Sequence, residues 1–317
     1  MKILVFDNLN KKFIDSISQG GKHEVITIKS ENLDKISDEF NDIDIMVGWG
    51  DIDDFTKERI NSAKNLKWIH TLAAGVDKLP FNYLKKKNII VTNSSGIHSI
   101  PISEHVFGML LYFTRSLNVF GEQKSLKEWR KASVYELFGK IIGIIGIGSI
   151  GKEIAKKAKA FDMTVLGVKN SKCDVNYVDY VYTLDDLNIV LSKSDVVVVA
   201  LPLTDMTKGL FSTNEFNNMK KDCIFVNIGR GKIVNEKALI KALQRKNIKY
   251  ACLDVFEEEP LSIESPLWDM KNVIITPHIS GDSHKYMERA MQIFLENLTR
   301  FENGDSLINS VDLLKQY

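Results

Sequence analysis

Short apolar runs alternate along the chain with longer amphipathic stretches. Residues 3–6, 25–28, 43–47, 68–71 and 89–92 read as strands. Polar segments with helical spacing lie between several of them, 55–63 being one. This alternation predicts a mostly parallel sheet covered on both faces. A second series of strands begins at 141–145 and continues with 164–168, 196–200, 224–228, 250–255 and 273–276. Helical patterns at 151–161, 184–191 and 236–246 separate them. The second series alone is long enough for a doubly wound domain. The first series must then form a separate unit, so the fold class is α/β with two domains.

Between the two series lies 101–120. Pro101 suits a first helical turn, and Val106, Phe107, Met109, Leu110, Leu111, Tyr112, Phe113, Leu117 and Phe120 follow. These positions cover nearly the whole circumference of one helix, so that helix needs burial on several sides. A place between domains and a place in a subunit interface both meet this need. Together they predict a homodimer.

Bulk properties narrow the partners. The chain has 317 residues, 44% of them hydrophobic, which is enough for two packed cores. Lys and Arg number 42 against 41 Asp and Glu, a net charge of +1. Near balance argues against nucleic acid, which needs a surplus of basic charge. Lys85, Lys86 and Lys87 read as a solvated helix end. Cys173, Cys223 and Cys252 form no CxxC pair, so neither a disulfide framework nor a zinc site is expected. The apolar run in Met1-Lys2-Ile3-Leu4-Val5-Phe6-Asp7 is short and broken by charge, unlike a signal peptide, and no stretch approaches a membrane span. A cytoplasmic protein without a membrane or metal partner is expected.

The strand at 141–145 runs directly into Gly146-Ile147-Gly148-Ser149-Ile150-Gly151, and a helical pattern follows. In that context the glycines have separate tasks. Gly146 permits a tight turn, Gly148 lets the backbone approach a pyrophosphate, and Gly151 lets helix and strand pack closely. Ser149 and Ile150 open the helix, whose N-terminus suits phosphate. The pattern alone is weak; strand before, helix after and further strands downstream make it a dinucleotide site. The next strand ends at Lys169-Asn170-Ser171-Lys172 with no acid about 20 residues past the first glycine to hold a ribose 2′-hydroxyl. Lys169, Asn170 and Ser171 suit a 2′-phosphate, so NADP(H) is favoured over NAD(H). The alternative is that Asn170 bonds the 2′-hydroxyl and NAD is used.

Three further segments begin at carboxyl ends of strands, the edge where open α/β sheets bind ligands. They are Val226-Asn227-Ile228-Gly229-Arg230-Gly231, Asp254-Val255-Phe256-Glu257-Glu258-Glu259-Pro260 and Thr276-Pro277-His278-Ile279-Ser280-Gly281. Arg230, one acid of the 257–259 run and His278 can therefore converge. Singly, each has a plain alternative: a surface cation, a solvated acidic turn, a strand cap. Together, below a cofactor turn, they point to catalysis.

With these motifs in place, the chain resembles the D-isomer-specific 2-hydroxyacid dehydrogenase family, which includes glyoxylate/hydroxypyruvate reductases. The resemblance also rests on Thr71-Leu72-Ala73-Ala74-Gly75-Val76-Asp77 and Ala200-Leu201-Pro202-Leu203-Thr204, and it spans essentially the whole chain. It implies a Rossmann-type dinucleotide domain over 99–285 and a discontinuous, flavodoxin-like substrate domain over 1–98 and 286–317, with the active site in the cleft. It maps the catalytic trio onto Arg230, Glu259 and His278. Arg230 would hold the carboxylate of a small 2-oxo acid and polarise its carbonyl. Backbone N–H groups near Ala74 and Gly75 would grip the same carboxylate. His278 would donate the proton, and Glu259 would orient the imidazole and favour its charged form. Leu201, Pro202, Thr207, Ile228, Gly229, Arg230, His278 and Gly281 join the glycine turn as implied cofactor contacts, and Asp254 would face the nicotinamide carboxamide. The D stereochemistry follows from the resemblance alone.

Two rivals share the fold. A cofactor-sensing corepressor would bind nucleotide without turnover; a formate dehydrogenase would not need the His–Glu pair. Trp49 stands either in the substrate pocket or at the core or rim. His23 and His70 read as structural, His98 and His105 lack a third metal ligand, and His284 is given no role.

Overall fold

The computed structural model describes residues 1–6, 9–28, 40–50, 54–76 and 78–314. Asp7 and Asp77, quoted above, and 315–317 of the implied second segment lie outside the described residues. The chain divides into two compact units. Unit 1 comprises Met1–Ile97 and Ser283–Tyr317, and unit 2 comprises His98–Asp282.

In chain order unit 1 contains β1 (Lys2–Val5), α1 (Lys11–Ser18), β2 (Glu24–Thr27), β3 (Ile45–Gly48), α2 (Lys57–Ser62), β4 (Trp68–Thr71), α3 (Phe81–Lys86) and β5 (Ile90–Asn93). Its five strands are parallel in the order β2-β1-β3-β4-β5, which is the flavodoxin-like order. Alternate residues of a strand serve opposite faces. Leu4 and Met46 therefore pack in one core with Phe55, Ile60 and Leu84. Ile3, Val5 and Trp68 face another core completed by Phe294 and Leu298 from the returning segment. Trp68 stacks on Phe294 and Phe301, at 5.3 and 5.4 Å between ring centres. Asn10 and Thr56 cap α1 and α2 through their side chains, satisfying N–H groups that a helix start leaves open.

Unit 2 opens with α4 (Ser99–Thr114) and α5 (Leu117–Leu126). Then come β6 (Ile141–Ile145), α6 (Ser149–Ala160), β7 (Thr164–Val168), β8 (Tyr180–Tyr182), α7 (Leu187–Lys193), β9 (Val196–Val199), α8 (Thr213–Asn217), β10 (Ile224–Asn227), α9 (Glu236–Gln244), β11 (Tyr250–Leu253) and β12 (Val273–Ile275). The seven parallel strands run β12-β11-β10-β9-β6-β7-β8. Counted from β6 as first, this is the Rossmann order, with its reversal between β6 and β9. The chain then re-enters unit 1 as α10 (Tyr286–Asn303).

One expectation needs correction. The helix read over 101–120 is two helices, because Ser116 takes the left-handed conformation at φ 54° and breaks the ladder. The 133–135 segment fills the break: Ser116 Oγ donates to the Ser133 carbonyl at 2.6 Å, and Tyr135 N donates to the Thr114 carbonyl at 2.7 Å. α4 is buried through Val106, Phe107, Leu110 and Phe113, whereas Leu117 and Phe120 of α5 are exposed. Strand β8 was not foreseen, since Tyr180-Val181-Tyr182 is a three-residue edge with an exposed face.

Candidate active site

The backbones leaving β6, β9 and β10 lie so close that glycine is required where they meet. At Gly146 (φ 112°) a Cβ would stand 2.6 Å from the Ala200 carbonyl oxygen, and at Gly229 it would stand 2.7 Å from that of Leu201. At Gly151 it would meet the Gly146 carbonyl oxygen at 2.1 Å. Gly148 differs: nothing lies within 4 Å of its missing Cβ. The first and third glycines thus serve packing, while Gly148 keeps open ground at the start of α6. No side chain caps that helix, so Ser149 and Ile150 begin it with N–H groups facing the same open ground. These residues fit a dinucleotide pyrophosphate.

Around this switch point most of the other expected contacts find a definite place. Ile228 is buried, its N–H donating to the Val199 carbonyl at 3.2 Å. Thr207 is 5% exposed and its hydroxyl donates to the Pro202 carbonyl at 2.7 Å, bracing the loop that carries Leu201. At the end of β7, Asn170 and Ser171 are exposed, and Lys169 Nζ lies 3.3 Å from Cys173 Sγ. Lys172 pairs with Asp186 at 3.0 Å, so Lys169 is the cation of that run left nearest the strand.

Arg230 follows β10 in a loop drawn tight by Asn227. The Asn227 side chain accepts from Gly229 N at 3.2 Å and donates to the Arg230 carbonyl at 3.3 Å. The guanidinium donates to the Gly229 carbonyl at 2.8 Å and the residue is exposed. The loop abuts the acidic run directly, since a Cβ on Gly231 would fall 1.7 Å from the Phe256 carbonyl oxygen. Within that run Glu257 turns to the start of α9, where its Oε2 accepts from Glu236 N at 3.3 Å. Glu259 divides its two oxygens: Oε1 accepts from Phe256 N at 2.9 Å, and Oε2 lies 2.8 Å from His278 Nδ1. The peptide between Glu259 and Pro260 is cis.

His278 sits at φ 52°, a left-handed conformation costing a non-glycine residue about 1 kcal/mol. Asp254 holds it there. The Asp254 carboxylate is 1% exposed and accepts from Thr276 Oγ1 (2.6 Å), Ile279 N (3.0 Å) and Ser280 N (3.1 Å), while the Asp254 carbonyl accepts from His278 N (2.9 Å). Burial pushes this carboxyl up, but the bonds from Ser280, Thr276 and Ile279 outweigh it and hold it below the usual range. Asp254 thus carries the His278 loop.

Two histidines join the site that spacing did not single out. His105 Nε2 lies 3.0 Å from Thr276 Oγ1. His98 Nδ1 lies 3.3 Å from the Gly281 carbonyl oxygen, and a Cβ on Gly281 would come within 2.8 Å of that nitrogen. Burial lowers the His98 imidazole, the Gly281 carbonyl and Asp282 raise it, and Arg230 lowers it further; the net effect is down. Among the described residues no group of three His, Cys, Asp or Glu could hold a metal, and no helix is long and apolar enough to cross a membrane.

In unit 1 the loop after β4 presents amides. The Thr71 carbonyl accepts from Ser94 Oγ (3.1 Å), Leu72 from the Tyr286 hydroxyl (2.9 Å), Ala73 from Thr71 Oγ1 (2.8 Å) and Ser94 N (3.1 Å), and Ala74 from Asn93 Nδ2 (2.8 Å). The N–H groups of Ala74 and Gly75 have no acceptor among the described residues. Trp49 packs against Tyr286 beside this loop, with ring centres 5.4 Å apart and planes tilted by 32°.

Residues 107–280 match the model of the D-isomer specific 2-hydroxyacid dehydrogenase NAD binding domain. The chain belongs to that family. It is 33% identical to a D-3-phosphoglycerate dehydrogenase of Methanocaldococcus jannaschii over 99% of its own length. It spans only 60% of that relative. A solved family protein from Aeromonas salmonicida is 33% identical, with a TM-score of 0.86 over 98% of this chain and 99% of the other. The NADPH-dependent glyoxylate/hydroxypyruvate reductase of Sinorhizobium meliloti, solved with NADP and sulfate, is 28% identical, with a TM-score of 0.80 over 100% and 99% of the two chains. The fold is thus that of this family, a Rossmann-type dinucleotide domain with a flavodoxin-like partner domain.

Proposed function

We propose that this chain reduces a small 2-oxo acid to the D-2-hydroxy acid with NADP(H). The observation that carries the reading is the 2.8 Å contact of His278 Nδ1 with Glu259 Oε2. It leaves the imidazole Nε2 as the atom that gives a proton to the substrate carbonyl oxygen and recovers it in the reverse direction. Arg230, an always-charged planar fork, binds the substrate carboxylate and polarises the carbonyl. The amides of Ala74 and Gly75 offer a second hold on that carboxylate. The bound nicotinamide supplies the hydride. Gly146, Gly148, Ser149, Ile150 and Gly151 hold its pyrophosphate, with Leu201, Pro202, Thr207, Ile228, Gly229, Asp254 and Gly281 lining the same edge of the sheet.

NADP is favoured because no carboxylate ends β7 and Lys169, Asn170 and Ser171 stand there instead; the S. meliloti relative was solved with NADP. We also propose a cytoplasmic homodimer. Leu117, Phe120, Leu126, Trp129, Val134, Tyr135 and Phe138 are all exposed along one stretch, with Trp129 fully so, which suits burial against a second copy. Light scattering that returned a monomer mass would refute the dimer.

The test is turnover of glyoxylate, hydroxypyruvate, phosphohydroxypyruvate and branched 2-oxo acids with each reduced cofactor, with chiral analysis of the product. Turnover of at least one acid to the D product, with higher kcat/KM for NADPH, is expected. Tenfold better use of NADH sinks the cofactor assignment. Tight cofactor binding without turnover on any acid favours the corepressor reading.

A further inference from the structure

Asn93, at the end of β5, is 8% exposed and every polar group it owns is committed. Its Oδ1 accepts from Ser95 N at 3.1 Å, which fixes the side-chain amide so that Nδ2 faces the Ala74 carbonyl at 2.8 Å. Its N–H donates to the Asn309 carbonyl at 3.2 Å, and the Asn309 side chain donates to the carbonyls of Asn93 and Ser95. Asn93 is thus a rigid donor whose one outward-reaching bond ends on the loop after β4.

The direction of that bond matters. A trans peptide points its N–H opposite its carbonyl. Drawing the Ala74 carbonyl toward Asn93 therefore turns the Gly75 N–H the other way. The bonds from Thr71 and Ser94 to the Ala73 carbonyl do the same for the Ala74 N–H. Two successive amides turned to one side, with no acceptor of their own among the described residues, form a concavity for an anion.

We propose that Asn93 is a positioning residue that sets these amides toward the substrate carboxylate, so that affinity for the acid, rather than the rate of hydride transfer, depends on it. The inference rests on the 2-oxo acid reading above. It is tested with Asn93→Asp in the full-length, NADPH-loaded protein. The aspartate keeps an acceptor for Ser95 N but sets an anionic oxygen against the Ala74 carbonyl and behind the amides. KM for the preferred 2-oxo acid should rise at least tenfold, with kcat within threefold and the dissociation constant of NADPH within twofold. Thr71→Val, which removes one of two donors from the Ala73 carbonyl, should raise KM by about threefold to fivefold and serves where Asn93→Asp does not fold.

Calorimetric titration of oxalate into the same proteins reads carboxylate binding without turnover, and Asn93→Asp should weaken it tenfold. That result carries the inference even where a wild-type protein inert on every 2-oxo acid defeats the reading. Unchanged KM and unchanged oxalate affinity in Asn93→Asp, in a wild-type background that turns over, overturn the inference alone. A fall in kcat with KM unmoved overturns it equally.

Discussion

Two loops of this protein face similar tasks and are held by opposite means. The loop after β4 in unit 1 and the loop after β12 in unit 2 each leave the carboxyl end of a parallel strand, and each is fixed by side chains that begin on neighbouring strands. In unit 1 the holding groups are neutral. His70, at 0% exposure, lies 2.8 Å from Thr92 Oγ1 through Nδ1 and 3.3 Å from Ser94 Oγ through Nε2, and burial drives its imidazole down to about 3. Thr92 also accepts from Trp68 Nε1 at 2.9 Å. In unit 2 the holding group is the ionised Asp254, and the imidazole it presents, His278, is about half exposed and faces Glu259. The same side chain is thus denied a proton on the strand beneath one loop and given a carboxylate partner and solvent in the other. Burial without a charge makes a histidine structural; exposure beside one makes it chemical.

The largest test of this contrast is His278→Gln, which keeps polarity but removes the titrating nitrogen. Turnover should fall about 10²–10⁴-fold, the size of a general-acid contribution; His70→Gln should not lower turnover on that scale. Unchanged turnover in His278→Gln would end the catalytic assignment.

A second test attacks the ionised scaffold. Asp254→Ala leaves Ile279 N and Ser280 N without their acceptor, and should cost about 2–4 kcal/mol by urea denaturation, since each buried donor left unmade carries about 1–3 kcal/mol. Turnover should drop with it, because the left-handed His278 loses its support. Full stability in Asp254→Ala would mean that the loop carries itself.

The smallest effect separates the two loops by acid. His70 has a folded value of about 3 against an ordinary 6.5. Below pH 6.5 the unfolded chain takes up a proton that the folded one refuses, so stability present above 6.5 declines as pH falls toward 3. Each pH unit in that window costs up to about 1.4 kcal/mol, or about 2–3 kcal/mol between pH 6.5 and 4.5. Asp254, held below the usual carboxylate range, stays ionised between pH 6.5 and 4.5. His70→Asn should flatten the acid limb of a Tm–pH curve, and an unchanged limb would place the acid sensitivity elsewhere.

How far all this was legible depends on sequence distance. β4, β6 and β7 were read residue for residue, because continuous apolar runs with abrupt polar ends leave one assignment. The left-handed Ser116 carries no glycine or proline to announce it, so two helices read as one. The glycines at 146 and 151 declared themselves through local spacing. Asp254 did not declare its role, since its partners Thr276, Ile279 and Ser280 lie 22–26 residues on and meet it only once β11 and β12 are paired. Asn93 was invisible for the same reason: its partner Ala74 sits across a strand pair, 19 residues back. Asn227 left the one usable trace, an asparagine two residues before a glycine, where an Asx turn tightens a loop.

The return of the chain to unit 1 has a temporal side. Ile3, Val5 and Trp68 finish their packing only against Ala290, Met291, Phe294 and Leu298 of α10. During synthesis the whole of unit 2 is made between these partners. At ribosomal speeds of about 5–20 residues per second, that leaves one face of the N-terminal sheet bare for roughly ten to forty seconds. Unit 2, contiguous in the chain, can mature in that interval. The strands made before unit 2 are therefore shielded only after it, and they are a surface a chaperone can meet on the nascent polypeptide.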